Sequence, residues 1–224
     1  MIITIEGIDG AGKGTQTQLL FSYLQSLGRQ IKAFDFPRYK NPSARNVERY
    51  LNGEFGTPAD VGPQLSSWFF AEDRKAAASE IQDAVNRGEI VICNRYVGSN
   101  TAHQGSKIAD KRQRHAFFKW NDRLEYEVNG IPKPDVNPIL FIPPHASREL
   151  VLQKMKREHL DGKKLDAHEA DIEHLRTTWE TYRELVELFP ERYIAVECFD
   201  GDQHLPAEEI HAKIWSVVKS ALGY

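Results

Sequence analysis

The feature that most constrains this chain is a glycine-rich turn between a short apolar run and the start of a helical pattern. Residues 2–20 read IITIEGIDGAGKGTQTQLL, which places Gly7, Gly12 and Lys13 at the phosphate-loop spacing. Glycine suits such a turn because the backbone approaches a phosphate so closely that a Cβ atom would intrude. The loop N–H groups, the following helix N-terminus and Lys13 then converge on phosphate oxygens. We therefore predict that a nucleoside triphosphate is bound by Gly7, Ile8, Asp9, Gly10, Ala11, Gly12, Lys13, Gly14 and Thr15.

One position departs from the strict phosphate-loop pattern. The Ser or Thr that normally follows the lysine and holds Mg²⁺ is replaced by Gly14, and Thr15 comes next. The string Gly-Lys-Gly-Thr-Gln resembles the adenylate kinase version of the loop, which implies that the metal is held largely through waters. We therefore assign no metal ligand among the side chains and expect Mg²⁺ to be bound mostly by phosphates and water.

Composition and charge exclude several other classes of protein. With 224 residues, of which 41% are hydrophobic, the chain can bury one sizeable core, and we expect a single domain over 1–224. A formal net charge of −3 gives no sign of bulk binding to nucleic acid or acidic membranes. Cys93 and Cys198 lie far apart in sequence, each in or beside a strand-like run, so we expect buried thiols, with a disulfide as the alternative. No apolar run approaches the ~18 residues of a membrane span, and no signal segment is seen, so we expect a cytoplasmic protein.

Apolar strand-like runs alternate with helical patterns along the chain. The runs are 2–5, 31–36, 90–93, 138–142 and 193–197, and the helical patterns are 15–27, 43–51, 63–86, 111–128, 147–158, 167–189 and 206–222. This alternation predicts an α/β fold with a parallel sheet covered by helices on both faces. The strongest shift in composition, at 153–169, is charged around Gly162, and it suits a mobile lid that we place at about 147–169.

Two arginines and one helical pair point to a second, phosphate-bearing substrate. Arg38 follows the second strand and Arg95 follows the third, at the edge where ligands of parallel sheets bind. A guanidinium can fork two oxygens of a monophosphate. Phe70 and Arg74 are four residues apart on one helical face, where a ring can stack on a base and an arginine can donate to a base carbonyl. Taken singly, these residues have ordinary alternatives as surface arginines or a core aromatic.

Five segments in a fixed order carry a family resemblance. Residues 6–13 fit Glu-Gly-x-Asp-Gly-x-Gly-Lys, residues 36–39 fit a Phe-Pro segment, and residues 70–74 fit Phe-x-x-Asp-Arg. Residues 94–96 fit Asp-Arg-Tyr apart from the first position, and 133–135 fit Lys-Pro-Asp. Together they resemble the thymidylate kinases, of the nucleoside monophosphate kinase group. The resemblance implies a three-layer P-loop NTPase fold with a five-stranded parallel sheet flanked by helices.

The resemblance also implies a role for each matching residue. Lys13 would bridge the β- and γ-phosphates of ATP, while Arg38 and Arg95 would hold the 5′-phosphate of dTMP. Asp9 would bind the 3′-hydroxyl or position an arginine. The other implied substrate contacts are Tyr39, Phe70 on the thymine ring, Arg74 on its O4, Asn100, His103, Gln104, Asp166 and Glu169. The last two, as plain sequence, could equally mark a helix start.

The resemblance further implies that the lid supplies the transition-state cation, because family members without an arginine between the loop glycines take it from there and this loop has none. Arg157 is the best candidate, and a solvated charge run is the ordinary alternative. The other basic residues considered are Lys154, Lys156, Lys163, Lys164 and the more distant Arg148. With Lys13, Arg95 and Asp9, Arg157 completes the expected catalytic set.

The implied reaction is transfer of the γ-phosphoryl group of MgATP to dTMP, in dTTP synthesis. Two departures leave details open. Asn94 replaces the family's aspartate near the metal, and His103 stands where relatives often carry a tyrosine beside the sugar. The alternatives are an adenylate-type kinase, a nucleoside kinase with Glu6 as base, and a regulatory nucleotide-binding module without transfer activity. Apolar surface on the helical pattern 63–86 also suggests a homodimer.

Overall fold

The computed structural model describes residues 1–160 and 171–223, with the backbone alone for 154–160. Its main sheet has five parallel strands in the order β2-β3-β1-β4-β5. These are β1 Ile2–Gly7, β2 Ile31–Asp35, β3 Ile90–Asn94, β4 Pro138–Phe141 and β5 Ile194–Glu197. The predicted parallel sheet is confirmed, and each strand lies within two residues of its apolar run. A two-stranded ribbon, β6 Phe199–Asp200 with β7 Gln203–His204, follows β5.

Eight α-helices are present in the described part of the chain. They are α1 Lys13–Ser26, α2 Arg45–Leu51, α3 Pro58–Asn86, α4 Val97–Gly105, α5 Lys111–Asp122, α6 Pro144–Leu160, α7 Ile172–Leu188 and α8 Ala207–Ala221. A 3₁₀ turn, Pro42–Ala44, precedes α2, and a π-helical stretch, Arg123–Val128, follows α5. Helix α3 begins five residues before the predicted 63, and a break at Gly62, with φ 73°, bends it there. None of the described helices is long and apolar enough to cross a bilayer.

Helix α4 was missed by the sequence reading, and its burial explains why. All of its residues except His103 are buried. A helix that is enclosed on nearly every side has no polar face, so it lacks the amphipathic period that reveals surface helices. Its sequence, VGSNTAHQG, is also poor in strong helix formers. Tertiary packing therefore determines this helix.

Alternating side chains of β1 enter two separate apolar layers. Ile3 and Ile5 pack in a cluster with residues of α1, α7 and α8, whereas Ile2 packs with Ala77 and Ile81 of α3. The central strands β1 and β4 are buried throughout, and the edge strands β2 and β5 are partly exposed. This burial on both faces explains the continuous apolar runs and gives the three-layer α/β arrangement. Cys93 and Cys198 are buried free thiols, as predicted.

The carboxyl ends of β1, β2 and β3 bring the predicted motifs to one edge of the sheet. β1 pairs with β3, and β3 pairs with β2, all in parallel register. At this edge the Asn94 Nδ2 atom donates to Asp35 Oδ1 across 2.8 Å. The loop after β1 and the turn after β3 therefore lie side by side, which positions the candidate site.

Candidate active site

The loop between β1 and α1 has the geometry of an anion cradle. A Cβ atom on Gly7, where φ is 139°, would lie 2.7 Å from the Leu140 carbonyl oxygen, so only glycine fits. Gly12, with φ 79°, caps α1 without a side-chain hydrogen bond, which leaves the first N–H groups of the helix to an incoming acceptor. The space around Gly12 and Gly14 is open to 4 Å. This end of α1 can therefore receive a phosphate group.

Lys13 and the first turn of α6 hold the loop in place. The Lys13 side chain is buried and its Nζ atom donates to the Ile8 carbonyl oxygen at 2.7 Å. The Ser147 hydroxyl donates to the Asp9 carbonyl oxygen, and a Cβ atom on Gly10 would lie 2.7 Å from the Ser147 carbonyl oxygen. The loop thus packs backbone against backbone on α6, with the lysine folded over it.

Asp9 and Arg95 form an ion pair that joins the loop to the end of β3. The pair links Arg95 Nη2 to Asp9 Oδ1, and Arg95 Nη1 lies 3.2 Å from Ser99 Oγ. Burial, the largest single effect, would raise the pKa of the Asp9 carboxyl, but the basic groups that face it, with Arg95 first and Lys13 also contributing, together lower it. Asp9 therefore stays ionised and fixes the direction of the guanidinium. Positioning an arginine is one of the two roles expected of Asp9, the other being to bind the 3′-hydroxyl.

A buried carboxyl group, Glu6, supports the strained turn that presents Arg95. Arg95 has φ 64°, a left-handed conformation that is uncommon for a residue with a side chain. Glu6 is fully buried and accepts hydrogen bonds from the Tyr96 N–H at 2.9 Å and from the Ser99 hydroxyl. Burial raises the pKa of Glu6. Because Glu6 is occupied in this way, it is a support for the turn and is poorly placed to serve as the base of a nucleoside kinase.

A pocket beside the loop brings together most of the predicted acceptor residues. Asp9, Arg95 and His103 form one cluster in its wall, and Arg74 and Asn100 form another. Tyr39, Phe70 and Gln104 also line it. Sequence reasoning missed the lining residues Tyr50, Lys107 and His174. Tyr50 lies on α2, His174 on α7 and Lys107 in the turn after α4, and none of them belongs to a local motif.

Arg38 is placed differently from the other predicted acceptor residues. It is not among the residues that line the pocket in the described structure. Its Nε atom donates to Asp73 Oδ1 at 3.0 Å, and its Nη2 atom donates to Ser43 Oγ at 3.0 Å. Its backbone N–H also donates to Asp73 Oδ2 at 2.7 Å. In this conformation Arg38 anchors the segment after β2 to α3.

Arg74 is held by a carboxylate that the sequence reading did not identify. The Arg74 Nε atom lies 3.1 Å from both oxygens of Glu125, and Arg74 Nη2 also donates to Glu125 Oε1. Both side chains are almost fully buried. Burial opposes the charge of Arg74, but the Glu125 carboxylate outweighs it and raises the pKa of the guanidinium. Among the described residues, Arg74 Nη1 makes no hydrogen bond, so it remains available to a ligand.

Asn100 presents an unsatisfied acceptor next to this ion pair. Its Nδ2 atom lies within hydrogen-bond distance of three oxygens, from Ser67, Asn121 and Glu125. These acceptors fix the orientation of the amide, because the opposite orientation would place oxygen against oxygen. The Asn100 Oδ1 atom is buried and has no partner among the described residues. A buried acceptor of this kind calls for a ligand donor.

Lys107 places a second, half-buried cation in the pocket wall. Its Nζ atom contacts the Tyr50 hydroxyl at 2.6 Å and Gln104 Oε1 at 2.5 Å. Among the described residues its hydrogen-bond partners carry no carboxylate, and burial lowers the pKa of Lys107 to about 8. Gln104 is therefore engaged by a neighbour as well as lining the pocket.

The proposed lid residues cannot be compared with this geometry. Asp166 and Glu169 lie outside the described residues, and so does the side chain of Arg157. The same holds for the alternative cations at Lys154, Lys156, Lys163 and Lys164. Only the first part of the 147–169 segment, as helix α6, is described.

The phosphate loop is joined to the adjoining pocket by the ion pair between Asp9 of the loop and Arg95 of the pocket wall. The chain is a P-loop kinase of the nucleoside monophosphate kinase group, with one site for a triphosphate and another for an acceptor. A comparison with protein families narrows this class. The family described as thymidylate kinase matches residues 5–214, and the chain belongs to that family.

Curated relatives agree with this family across most of the chain. A thymidylate kinase of Mycobacterium tuberculosis is 32% identical over 186 residues, covering 83% of this chain and 85% of the relative. A thymidylate kinase of Chlorobium luteolum is 29% identical over 222 residues, covering 96% and 94%. One of Bifidobacterium longum is 25% identical over 222 residues, covering 98% and 96%. The similarity therefore extends over the phosphate loop, the pocket and the carboxyl-terminal helices.

Proposed function

We propose that this protein transfers the γ-phosphoryl group of ATP to thymidine monophosphate, giving thymidine diphosphate and ADP. Membership of the thymidylate kinase family supports the reaction. The observation that best supports thymidine monophosphate as the substrate is the buried Asn100 Oδ1 atom, which has no partner among the described residues. Asn100 lines the same pocket as Arg74 and Arg95. A thymine ring offers an N–H donor at N3 and a carbonyl at O4. Those two groups match an orphan acceptor and an arginine donor.

The same pair disfavours an amino-bearing base. Adenine and cytosine carry a ring nitrogen acceptor beside an amino group. In this pocket their ring nitrogen would face another acceptor, Asn100 Oδ1, and their amino group would face another donor, Arg74. The adenylate-type alternative is therefore not favoured. Uracil and guanine share the N–H and carbonyl edge of thymine, so dUMP and GMP are included among the nucleotides tested below. Phe70, which lines the same pocket, is proposed to stack on the ring.

Catalysis is proposed to come from positioning and from positive charge. The attacking group is a phosphate oxygen that is already anionic at neutral pH, so no strong base is required. Arg95, fixed by Asp9, would hold the acceptor phosphate, and Lys13 would meet the transferred group. Arg38 is the second cation proposed to bind this phosphate. Its hydrogen bonds to Asp73 and Ser43 use Nε and Nη2, so the contact would be made by Nη1.

Lid and sugar contacts complete the proposed site. Arg157 is proposed as the lid cation, and Asp166 and Glu169 as acidic contacts near the acceptor. Tyr39, His103 and Gln104 are proposed near the sugar and base, consistent with their place in the pocket wall.

Mg²⁺ is proposed to enter with ATP and to be held mainly by phosphate oxygens and water. The donor set fits this arrangement: Gly14 has no hydroxyl group, and Asn94 has an amide in contact with Asp35. The described residues contain no group of three or more His, Cys, Asp or Glu side chains suited to a metal. When bound, the ion would neutralise charge on the phosphates.

We further propose one domain, a cytoplasmic location and a homodimer. The buried free thiols of Cys93 and Cys198 suit a reducing compartment. Leu65 and Trp68 of α3 are 48% and 46% exposed, and their spacing places them on one helical face. Such apolar exposure is typical of a surface that pairs with a second copy.

The proposed function is tested by measuring ADP release from MgATP with dTMP, dUMP, GMP, AMP and CMP supplied singly. A dominant rate with dTMP supports the proposal. A dominant rate with AMP would restore the adenylate-type kinase and make the Asn100–Arg74 assignment wrong. ATP binding without release of ADP for any acceptor would instead indicate a regulatory module.

A further inference from the structure

Two histidines from different helices lie in line with the Arg95 guanidinium. His103 Nε2 on α4 is 3.2 Å from Arg95 Nη1, and His103 Nδ1 is 3.2 Å from His174 Nε2 on α7. The two imidazole centroids are 5.4 Å apart, and both rings line the acceptor pocket. The contact chain therefore runs from α7 through α4 to the arginine beside the phosphate loop.

The chemistry of Arg95 fixes the direction of the hydrogen bonds in this chain. A guanidinium nitrogen can only donate, so His103 Nε2 must accept with its lone pair. A neutral His103 then carries its proton on Nδ1 and donates it to His174 Nε2. His174 must in turn be the Nδ1–H tautomer when neutral. A proton added to His103 Nε2 would face the Arg95 donor, and a proton added to His174 Nε2 would face the His103 Nδ1 donor.

The surroundings of His103 favour the neutral ring. Burial is the largest effect and lowers the pKa of His103 well below 6.5. Asp9 opposes this shift, whereas Arg95, His174 and Lys13 add to it. The ring of Tyr182, on α7, also faces His103 edge-on at 6.2 Å. His103, the middle ring of the Arg95–His103–His174 contact chain (called the relay below), is consequently neutral at neutral pH.

We propose that His103 and His174 are positioning residues that orient the Arg95 guanidinium toward the acceptor phosphate. The inference rests on the proposed function in one respect, the role of Arg95 as the cation for that phosphate. Asp9 holds the Nη2 end of the guanidinium, and His103 holds the Nη1 end together with Ser99 Oγ and the Gly7 carbonyl oxygen, so these contacts leave the side chain little freedom. His174 acts through His103 by holding its tautomer.

The first test reads the tautomers directly and needs no activity. In ¹⁵N-histidine-labelled protein at pH 7.5, two-dimensional NMR spectra are expected to show His103 protonated on Nδ1 and unprotonated on Nε2, with the assignment made by loss of the signals in H103Q. An Nε2–H tautomer or an imidazolium at His103 would overturn the relay, even if the protein phosphorylates dTMP. Conversely, a protein that is inactive with every nucleotide acceptor would refute the proposed function and leave the tautomer assignment of His103 unaffected.

The second test separates positioning from a merely structural role. H103F removes the acceptor and is expected to lower kcat/KM for dTMP about tenfold, while the KM for ATP stays within twofold of wild type. H103Q returns an acceptor near Nε2 and is expected to recover activity to within about threefold of wild type. H174F should lose as much as H103F, and the double variant should lose no more than either.

A matched histidine change outside the pocket controls for the substitution itself. His211 on α8 packs against Tyr23, and H211F is expected to leave both kinetic constants unchanged. Unfolding temperatures identify any variant that fails to fold, and H174F then tests the relay from the α7 side. Additive losses in H103F and H174F, or full activity in H174F, would overturn the proposal.

Discussion

Replacing Glu125 by glutamine tests how the base-facing side of the pocket is held. Glu125 is fully buried, and it is the carboxylate partner of Arg74, which is 2% exposed. Glutamine keeps one oxygen but puts an N–H₂ group against guanidinium donors, and it leaves the cation without a counter-charge. Breaking a buried pair by removing one partner costs about 3–5 kcal/mol. For a chain of this size that corresponds to a fall of about 10 °C in unfolding temperature.

The assay combines thermal unfolding with steady-state kinetics. Because Arg74 would lose its fixed direction, kcat/KM for dTMP is expected to fall about tenfold or more, with the KM for ATP little changed. Exchanging both partners, as Arg74→Met with Glu125→Met, should recover stability without recovering activity, since the buried charge is gone.

A matched control separates burial from the ion pair itself. Glu173 pairs with Arg176 at 2.9 Å, but the two side chains are 69% and 49% exposed. Glu173→Gln is therefore expected to stay within about 2 °C of wild type. If the unfolding temperature of Glu125→Gln falls by less than about 3 °C, or by no more than that of this control, the reasoning is refuted.

Four further predictions follow from other contacts. Arg95→Ala should lower kcat by more than 100-fold, at least ~3 kcal/mol in the barrier, by analogy with lost anion-hole donors, and a loss below tenfold would remove it from the site. Asn94→Asp puts a carboxylate against Asp35, so unfolding temperature should fall without divalent cations and recover with millimolar Mg²⁺; no response to Mg²⁺ would contradict this. Burial lowers the pKa of Lys107 from 10.5 to about 8, so between those pH values the unfolded chain binds a proton that the folded chain does not. The free energy of unfolding of the wild type should therefore rise with pH over this range, by up to about 3 kcal/mol relative to Lys107→Met. Parallel pH profiles of stability for the two proteins would contradict this. Trp68→Lys should convert a dimer to a monomer in sedimentation at micromolar concentration, and an unchanged sedimentation coefficient would exclude this face.

The phosphate loop and the sheet could be predicted from local sequence patterns, whereas the rest of the site depends on contacts between residues that are distant in sequence. Gly7 and Gly12 could be predicted because their backbone conformations are encoded at their own positions. By contrast, Glu125 is 51 residues from Arg74, and His174 is 71 residues from His103, so no local pattern links either pair. The hydrogen bonds of Arg38 to α3 were missed for the same reason.

The contact between the phosphate loop and α6 has a thermodynamic consequence. Ser147 donates to the Asp9 carbonyl oxygen, and Gly10 lies so close to Ser147 that a methyl group would not fit between them. A phosphate that draws the loop toward itself must therefore do work on the first turn of α6. Binding linkage is reciprocal, so a change that stabilises this turn in the same direction must tighten nucleotide binding by an equal factor. Affinity at the loop and the conformational equilibrium of α6 are thus two measurements of one free energy.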